Sequence, residues 1–127
     1  MPYDPDPKLG ATPFRLVNAG TADDATVALA APGRLLAVNG LNINAAAVHV
    51  KFYNKATAPD VSTDVPVWGF SIGGGTAGIS ANPQIPPEGI YFSAGISYVI
   101  VSGAANTNST DVTAANVTVN GAYKASS

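Results

Sequence analysis

Residues 48–53 read Val48-His49-Val50-Lys51-Phe52-Tyr53, an alternation of apolar and polar or amphipathic side chains. Successive side chains of a strand point to opposite faces, so Val48, Val50 and Phe52 share one face and His49, Lys51 and Tyr53 the other. The run closes in a polar segment that ends at Pro59, and proline stops a strand because it has no N–H to give to the ladder. A strand apolar on one side and bounded by such a turn belongs in an antiparallel sheet with one buried face.

The same pattern recurs along the 127 residues. Strands are expected at 14–17, 26–29, 34–43, 65–72, 77–80, 90–101 and 117–123, besides the one at Val48. They are punctuated by Asn18-Ala19-Gly20, Pro32-Gly33, Gly73-Gly74-Gly75 and the Pro-rich segment 82–89, each of which supplies turn residues. Asn39-Gly40 reads as a bulge or a tight turn. Pro66 marks its strand as a sheet edge or an irregular start. The run 90–101, interrupted at Gly95, is apolar on both faces, with Ile90, Phe92, Ile96, Tyr98 and Ile100 on one and Tyr91, Val99 and Val101 on the other. Such a strand is expected in the middle of a stacked arrangement or against a subunit interface. No segment carries a capped apolar stripe of helical period. The expected fold is all-β, a single antiparallel β-sandwich or jelly-roll-like barrel of about eight strands. It spans residues 14–127 and follows an extended Pro-rich N-terminal arm, residues 1–13.

In that arm Pro2, Pro5, Pro7 and Pro13 fix φ and hold the preceding residues extended, which argues against helix or a continuous ladder. A stiff arm orders on a neighbour at a lower entropy cost than a flexible one. Tyr3 and Leu9 are its candidate anchors, and Phe14 is its junction with the domain. The opening residues lack the basic start and apolar centre of a secretory signal, so synthesis in the cytoplasm is expected. No apolar run approaches the roughly 20 residues that a helix needs to cross a bilayer.

Only 11% of residues are charged, under half of the roughly 25% usual in soluble domains. A chain that buries much of its outside against partners needs less surface charge, so an oligomer or assembly component is expected. The net charge of −2 and six scattered basic residues give no footprint for nucleic acid. Without cysteine there is no disulfide and no thiolate site. The single histidine, His49, makes a zinc site unexpected. Asp60, Ser62 and Asp64 have oxygens spaced along one loop as calcium needs, although acids in turns usually serve only the turn. A Ser-His-Asp arrangement could pass only through His49, and no Gly-x-Ser-x-Gly elbow accompanies it. No catalytic residue is expected. Trp68, Tyr53, Tyr91 and Tyr98 could form a sugar-stacking platform, against the commoner use of such aromatics in packing.

Three stretches carry a family resemblance. Lys51-Phe52-Tyr53-Asn54-Lys55-Ala56-Thr57-Ala58-Pro59, then Thr63-Asp64-Val65-Pro66-Val67, then Glu88-Gly89-Ile90-Tyr91-Phe92-Ser93-Ala94-Gly95-Ile96 resemble segments of small virion proteins of tailed bacteriophages. The loop that opens at Ser102-Gly103-Ala104-Ala105-Asn106 is similar as well. The chain departs from the family in the proline-rich segment 82–88 and in the residues before Ala11. The resemblance implies a structural protein without cofactor or metal, either a capsid decoration (cement) protein or a fibre-type component. It implies a strand at 63–67 and, for decoration proteins, a homotrimer.

The leading expectation is therefore a decoration protein that oligomerises and stabilises the phage head across neighbouring subunits. The alternatives are a tail or head-fibre component and, from a different class, a carbohydrate-binding module. The expected partners are the major capsid protein and further copies of the chain, with neither nucleic acid nor membrane. The expected location is the capsid surface. Pro2, Tyr3, Pro5, Pro7, Leu9, Pro13, Phe14 and Trp68 are the expected partner-binding residues.

Overall fold

In the computed structural model, which describes residues 10–20 and 25–126, all regular secondary structure is β-strand. The described residues form β1 (Thr12–Val17), β2 (Thr26–Leu29), β3 (Gly33–Asn42), β4 (Val48–Asn54) and β5 (Trp68–Ile72). These are followed by β6 (Ile79–Ala81), β7 (Ile90–Phe92), β8 (Ile96–Val101) and β9 (Val117–Ala125). One sheet has the order β1-β9-β3-β6, with β7 also paired to β3, and the other has the order β2-β8-β4-β5. All pairings are antiparallel. The expected all-β sandwich is the observed architecture.

The core lies between the sheets. Val48, Val50 and Phe52 enter it from β4, as their alternation requires, and meet Leu35, Val38, Val117 and Val119 of the other sheet. Phe52 is fully buried, with Tyr98 stacked at 5.3 Å and Trp68 tilted at 5.5 Å between ring centroids. Such pairs add about 0.5–1.5 kcal/mol beyond the area they bury.

The other face of β4 differs from the sequence expectation. Lys51 and Tyr53 are as buried as their apolar neighbours. Tyr53, Val61, Val99 and Val101 form a second apolar cluster on the outside of the sheet. There Val61 comes from the long loop between β4 and β5. The loop after β8 lies against the same side, where Lys51 reaches the carbonyls of Ala105 and Asn108. The chain's own loops thus cover this face, which explains why β8 is apolar on both sides without a neighbouring subunit.

The run 90–101 is two strands rather than one. β7 pairs with β3 in the first sheet and β8 with β2 and β4 in the second, so the chain crosses between sheets at residues 93–95. A Cβ on Gly95 would lie 2.7 Å from Ala56 Cα and 2.8 Å from the Leu29 carbonyl oxygen, so only glycine fits this close backbone approach.

Three other boundaries shift. Residues 63–67 are loop, and β5 starts only at Trp68, because Pro66 has no N–H to pair. As an edge strand, β5 matches what that proline suggested. Asn39-Gly40 is neither bulge nor turn but lies within β3, whose register shift falls between Leu35 and Ala37. β1 begins at Thr12, so the last two residues assigned to the arm belong to the sheet. β1 is an edge strand, and there Pro13 is tolerated. Pro2, Tyr3, Pro5, Pro7 and Leu9 lie outside the described residues.

Gly40 faces the core, and a Cβ there would lie 2.4 Å from Ile72 Cδ1 in the opposing sheet. Gly40→Ala is expected to cost about 1–3 kcal/mol by overpacking. Ile72→Val removes the clashing methyl. In urea denaturation, the double variant is expected to be less destabilised than the sum of the two single variants. Strict additivity would show that the two residues do not oppose each other.

Candidate functional site

The first sheet has an outer face with no loop packed across it among the described residues, and the register sets out its composition. Directly paired residues share a face. One row runs Val17–Thr118–Leu41–Ser80 across β1, β9, β3 and β6. The next rows are Arg15–Asn120–Asn39 and Pro13–Ala122–Ala37, and the last is Lys124–Arg34–Tyr91. Leu41 is 45% exposed and Tyr91 51%. The face thus mixes aliphatic, amide and aromatic groups with three cations and no carboxylate.

Arg34 and Lys124 stand directly opposite each other, an arrangement of like charges that destabilises a sheet unless something neutralises it. The Arg34 guanidinium lies over the Tyr91 ring, 5.1 Å from its centroid. The acid Glu88 sits in the loop before β7, yet the ion pair found among the described residues is Lys55–Asp64, at the loop between β4 and β5.

The outer side of the second sheet holds a different cluster. His49 Nδ1 and Ser71 Oγ, on β4 and the edge strand β5, are 2.7 Å apart. They border an open depression of about 320 Å³ with Lys51, Val67, Gly69 and Asn106. Burial first, and then the charge of Lys51, lowers the His49 pKa from its ordinary 6.5, which favours a neutral ring that can accept the serine proton. No carboxylate hydrogen-bonds the imidazole among the described residues, so no third group orients the ring as a triad requires. Lys51 is nearly buried, and its ammonium donates to two loop carbonyls rather than to an acid. Burial lowers its pKa.

The acids of the loop between β4 and β5 serve that loop. Asp64 Oδ2 accepts from Lys55 Nζ at 2.6 Å and from the Asp60 N–H at 2.8 Å, and both bonds hold its carboxyl below the usual range. Asp60 Oδ1 accepts from the hydroxyl and the N–H of Ser62, which lowers its pKa too. One oxygen of each carboxylate considered for calcium is thus engaged within the loop, and no group of three metal-ligating side chains occurs among the described residues.

Of Pro13, Phe14 and Trp68, the described residues expected to bind a partner, only Pro13 lies on the open face. Phe14 points inward, 5.4 Å from Tyr98 between ring centroids, and its ring fills the space over Gly121. Trp68 is half-buried, packing on Phe52 and Phe70 at the margin of the core while it also borders the open depression beside His49. Tyr53 and Tyr98 are buried, while Tyr91 is exposed on the other sheet, so the four aromatics do not form one platform. Arg15, Arg34, Leu41 and Lys124 were not singled out in the sequence, and Tyr91 was named only as a candidate sugar-stacking aromatic. Their alternation marks them as outward-facing, but their assembly into rows depends on a register that joins distant strands.

The molecule is an all-β sandwich with one loop-covered face and one open face. No family model, curated protein or solved structure matches the chain.

Lys51→Met is expected to leave the carbonyls of Ala105 and Asn108 without their donor, at a cost of about 1–3 kcal/mol. Amide exchange should quicken in the loop at Gly103, Asn108 and Thr110 while β4 stays protected. Equal protection in both proteins would show that the ammonium does not hold the loop. For His49, the unfolded chain takes up its proton at higher pH than the folded one. The stability it contributes is therefore complete above its ordinary value and is lost as pH falls through the folded value. Thermal melts between about pH 7.5 and about pH 5.5 should show this loss, and His49→Gln should reduce it.

Proposed function

We propose that the chain is a structural protein of a tailed-phage virion, a capsid decoration protein that seats the open face of its first sheet on the major capsid protein. The observation that carries this reading is that face, where Leu41, Val17 and Tyr91 are exposed among cations and amides with no covering loop. Arginine and tyrosine, flanked by apolar residues, are the chemistry of binding hot spots. The 11% charged composition and the resemblance in the segments from Lys51 and from Glu88 support the same reading.

In this role the protein acts by binding alone. Each contact is modest. A homotrimer joins three of them, and linkage of the sites multiplies their affinities without any new contact. Attachment across neighbouring capsid subunits resists their separation. A tail or fibre location is the runner-up, since the same face could serve there. The carbohydrate reading has less support, because Tyr53 and Tyr98 are buried and Tyr91 lies on the other sheet from Trp68.

Capsids lacking the protein, mixed with it and imaged by electron cryo-microscopy, should gain density at symmetry axes. Val17→Asp with Leu41→Asp should weaken co-sedimentation by about tenfold to a hundredfold while the thermal melt is retained. Undiminished binding by this variant would remove the face from the interface, and density on the tail alone would move the protein there.

A further inference from the structure

The two ends of the open face differ in chemistry. Val17 and Leu41 share the row at one end. Arg34, Lys124 and Tyr91 share the row at the other, about 20 Å away along β3. Arg15 lies between them, and none of the four rows contains a carboxylate. Arg34 and Lys124 face each other across β3 and β9, where like charges repel. No acid among the described residues pairs with either.

We propose that this row receives clustered carboxylates of the partner protein, which presents an acidic strip about 20 Å from an apolar one. The inference rests on the open face being the docking surface and adds what the partner must carry there. The row is arranged to hold an anion. Arg34 stands on the middle strand, with Lys124 on one side and Tyr91 on the other, and all three are exposed. The guanidinium leans over the Tyr91 ring, away from Lys124. Stacked in this way it keeps in-plane N–H groups that can hold a carboxylate through two parallel hydrogen bonds. Because the ring already orients it, less side-chain entropy is lost on binding. Lys124 adds a second positive charge one strand away, about 5 Å between backbones. A carboxylate arriving there is attracted by both cations and relieves the repulsion that the free sheet bears.

Two observations favour a protein over a nucleic acid. The row at the far end holds Val17 and Leu41 and no cation, so a phosphate backbone finds no partner there. The chain as a whole has a net charge of −2, which repels a polyanion at long range.

The first readout needs no partner. Lys124→Gln removes the repulsion and leaves Arg34 on its ring. The melting temperature of the full chain should rise by about 1–3 °C in ~0.05 M salt, and the gain should shrink in ~0.5 M salt. A fall at low salt would overturn the proposal, because the row would then be balanced within the chain. The second readout uses hexaglutamate as the probe in isotope-edited nuclear magnetic resonance. The amides of Arg34, Tyr91 and Lys124 should shift more than those of Leu41 at the apolar end and of His49 on the other sheet. Arg34→Gln with Lys124→Gln should weaken this binding about tenfold. Uniform shifts would overturn the proposal, and so would tighter binding of an oligothymidylate of equal charge, which would make the occupant a nucleic acid. On capsids, the same double variant should weaken co-sedimentation about tenfold in ~0.05 M salt. Undiminished attachment would overturn the acidic strip and leave the capsid reading standing. Peptide binding at the row without any attachment to capsids would support the acidic partner and remove the capsid reading alone.

Discussion

The fold depends on one short passage, residues 93–95, where the chain leaves the first sheet and enters the second. β7 and β8 are so close in sequence that the two sheets are tied almost covalently at this corner. The corner is secured from the side by Asn54, the last residue of β4. Its carboxamide oxygen accepts from the N–H of Ala94 at 2.8 Å and of Gly95 at 3.4 Å, and its amide donates to Ser93 Oγ at 2.9 Å. The Lys55 N–H donates to the Gly95 carbonyl. With the crossing fixed, Phe92 and Ile96 both point into the core, and the aromatic cluster around Phe52 can close.

The same device recurs wherever a loop must return to the sandwich. Asn42 is fully buried and donates to the carbonyls of Ala46 and Gly73 at 3.0 Å, while its oxygen accepts from the Asn44 N–H. Asn18 accepts from the Val117 N–H at 2.7 Å and donates to Thr113. The Asn18 carbonyl takes the N–H of Ala115, whose φ of 63° is left-handed and costly for a residue with a Cβ. Asparagine suits this use because one short side chain carries both donors and an acceptor, as buried backbone demands. Hydrogen-bonded side chains of this kind allow a chain of low charge to keep long loops against its second sheet.

The strand pattern was largely legible in the sequence because each strand buries alternate residues. Val48, Val50 and Phe52 declare their face, and the edge position of β5 follows from Pro66. What could not be read depends on distant partners. Gly40 looks like a turn residue beside Asn39, and only the Ile72 methyl opposite explains why no side chain fits there. The run from Ile90 to Val101 looks continuous, since a glycine that bends a strand and one that lets it cross between sheets are alike in sequence. Lys51 and Tyr53 read as the wet side of their strand, and the loops that cover them carry no pattern that announces it. Arg34 and Lys124 are 90 positions apart, so the candidate surface was invisible until the register joined them.

Lys51 carries a last implication. Loops rich in backbone carbonyls are often closed by a metal ion, which must be drawn from the medium and can be lost to it. Here the carbonyls of Ala105 and Asn108 converge on an ammonium that belongs to the chain itself. A cation tethered by its own backbone cannot be diluted, chelated or exchanged. The shape of residues 102–113 is thus held in part by a charge that the fold supplies from the neighbouring strand.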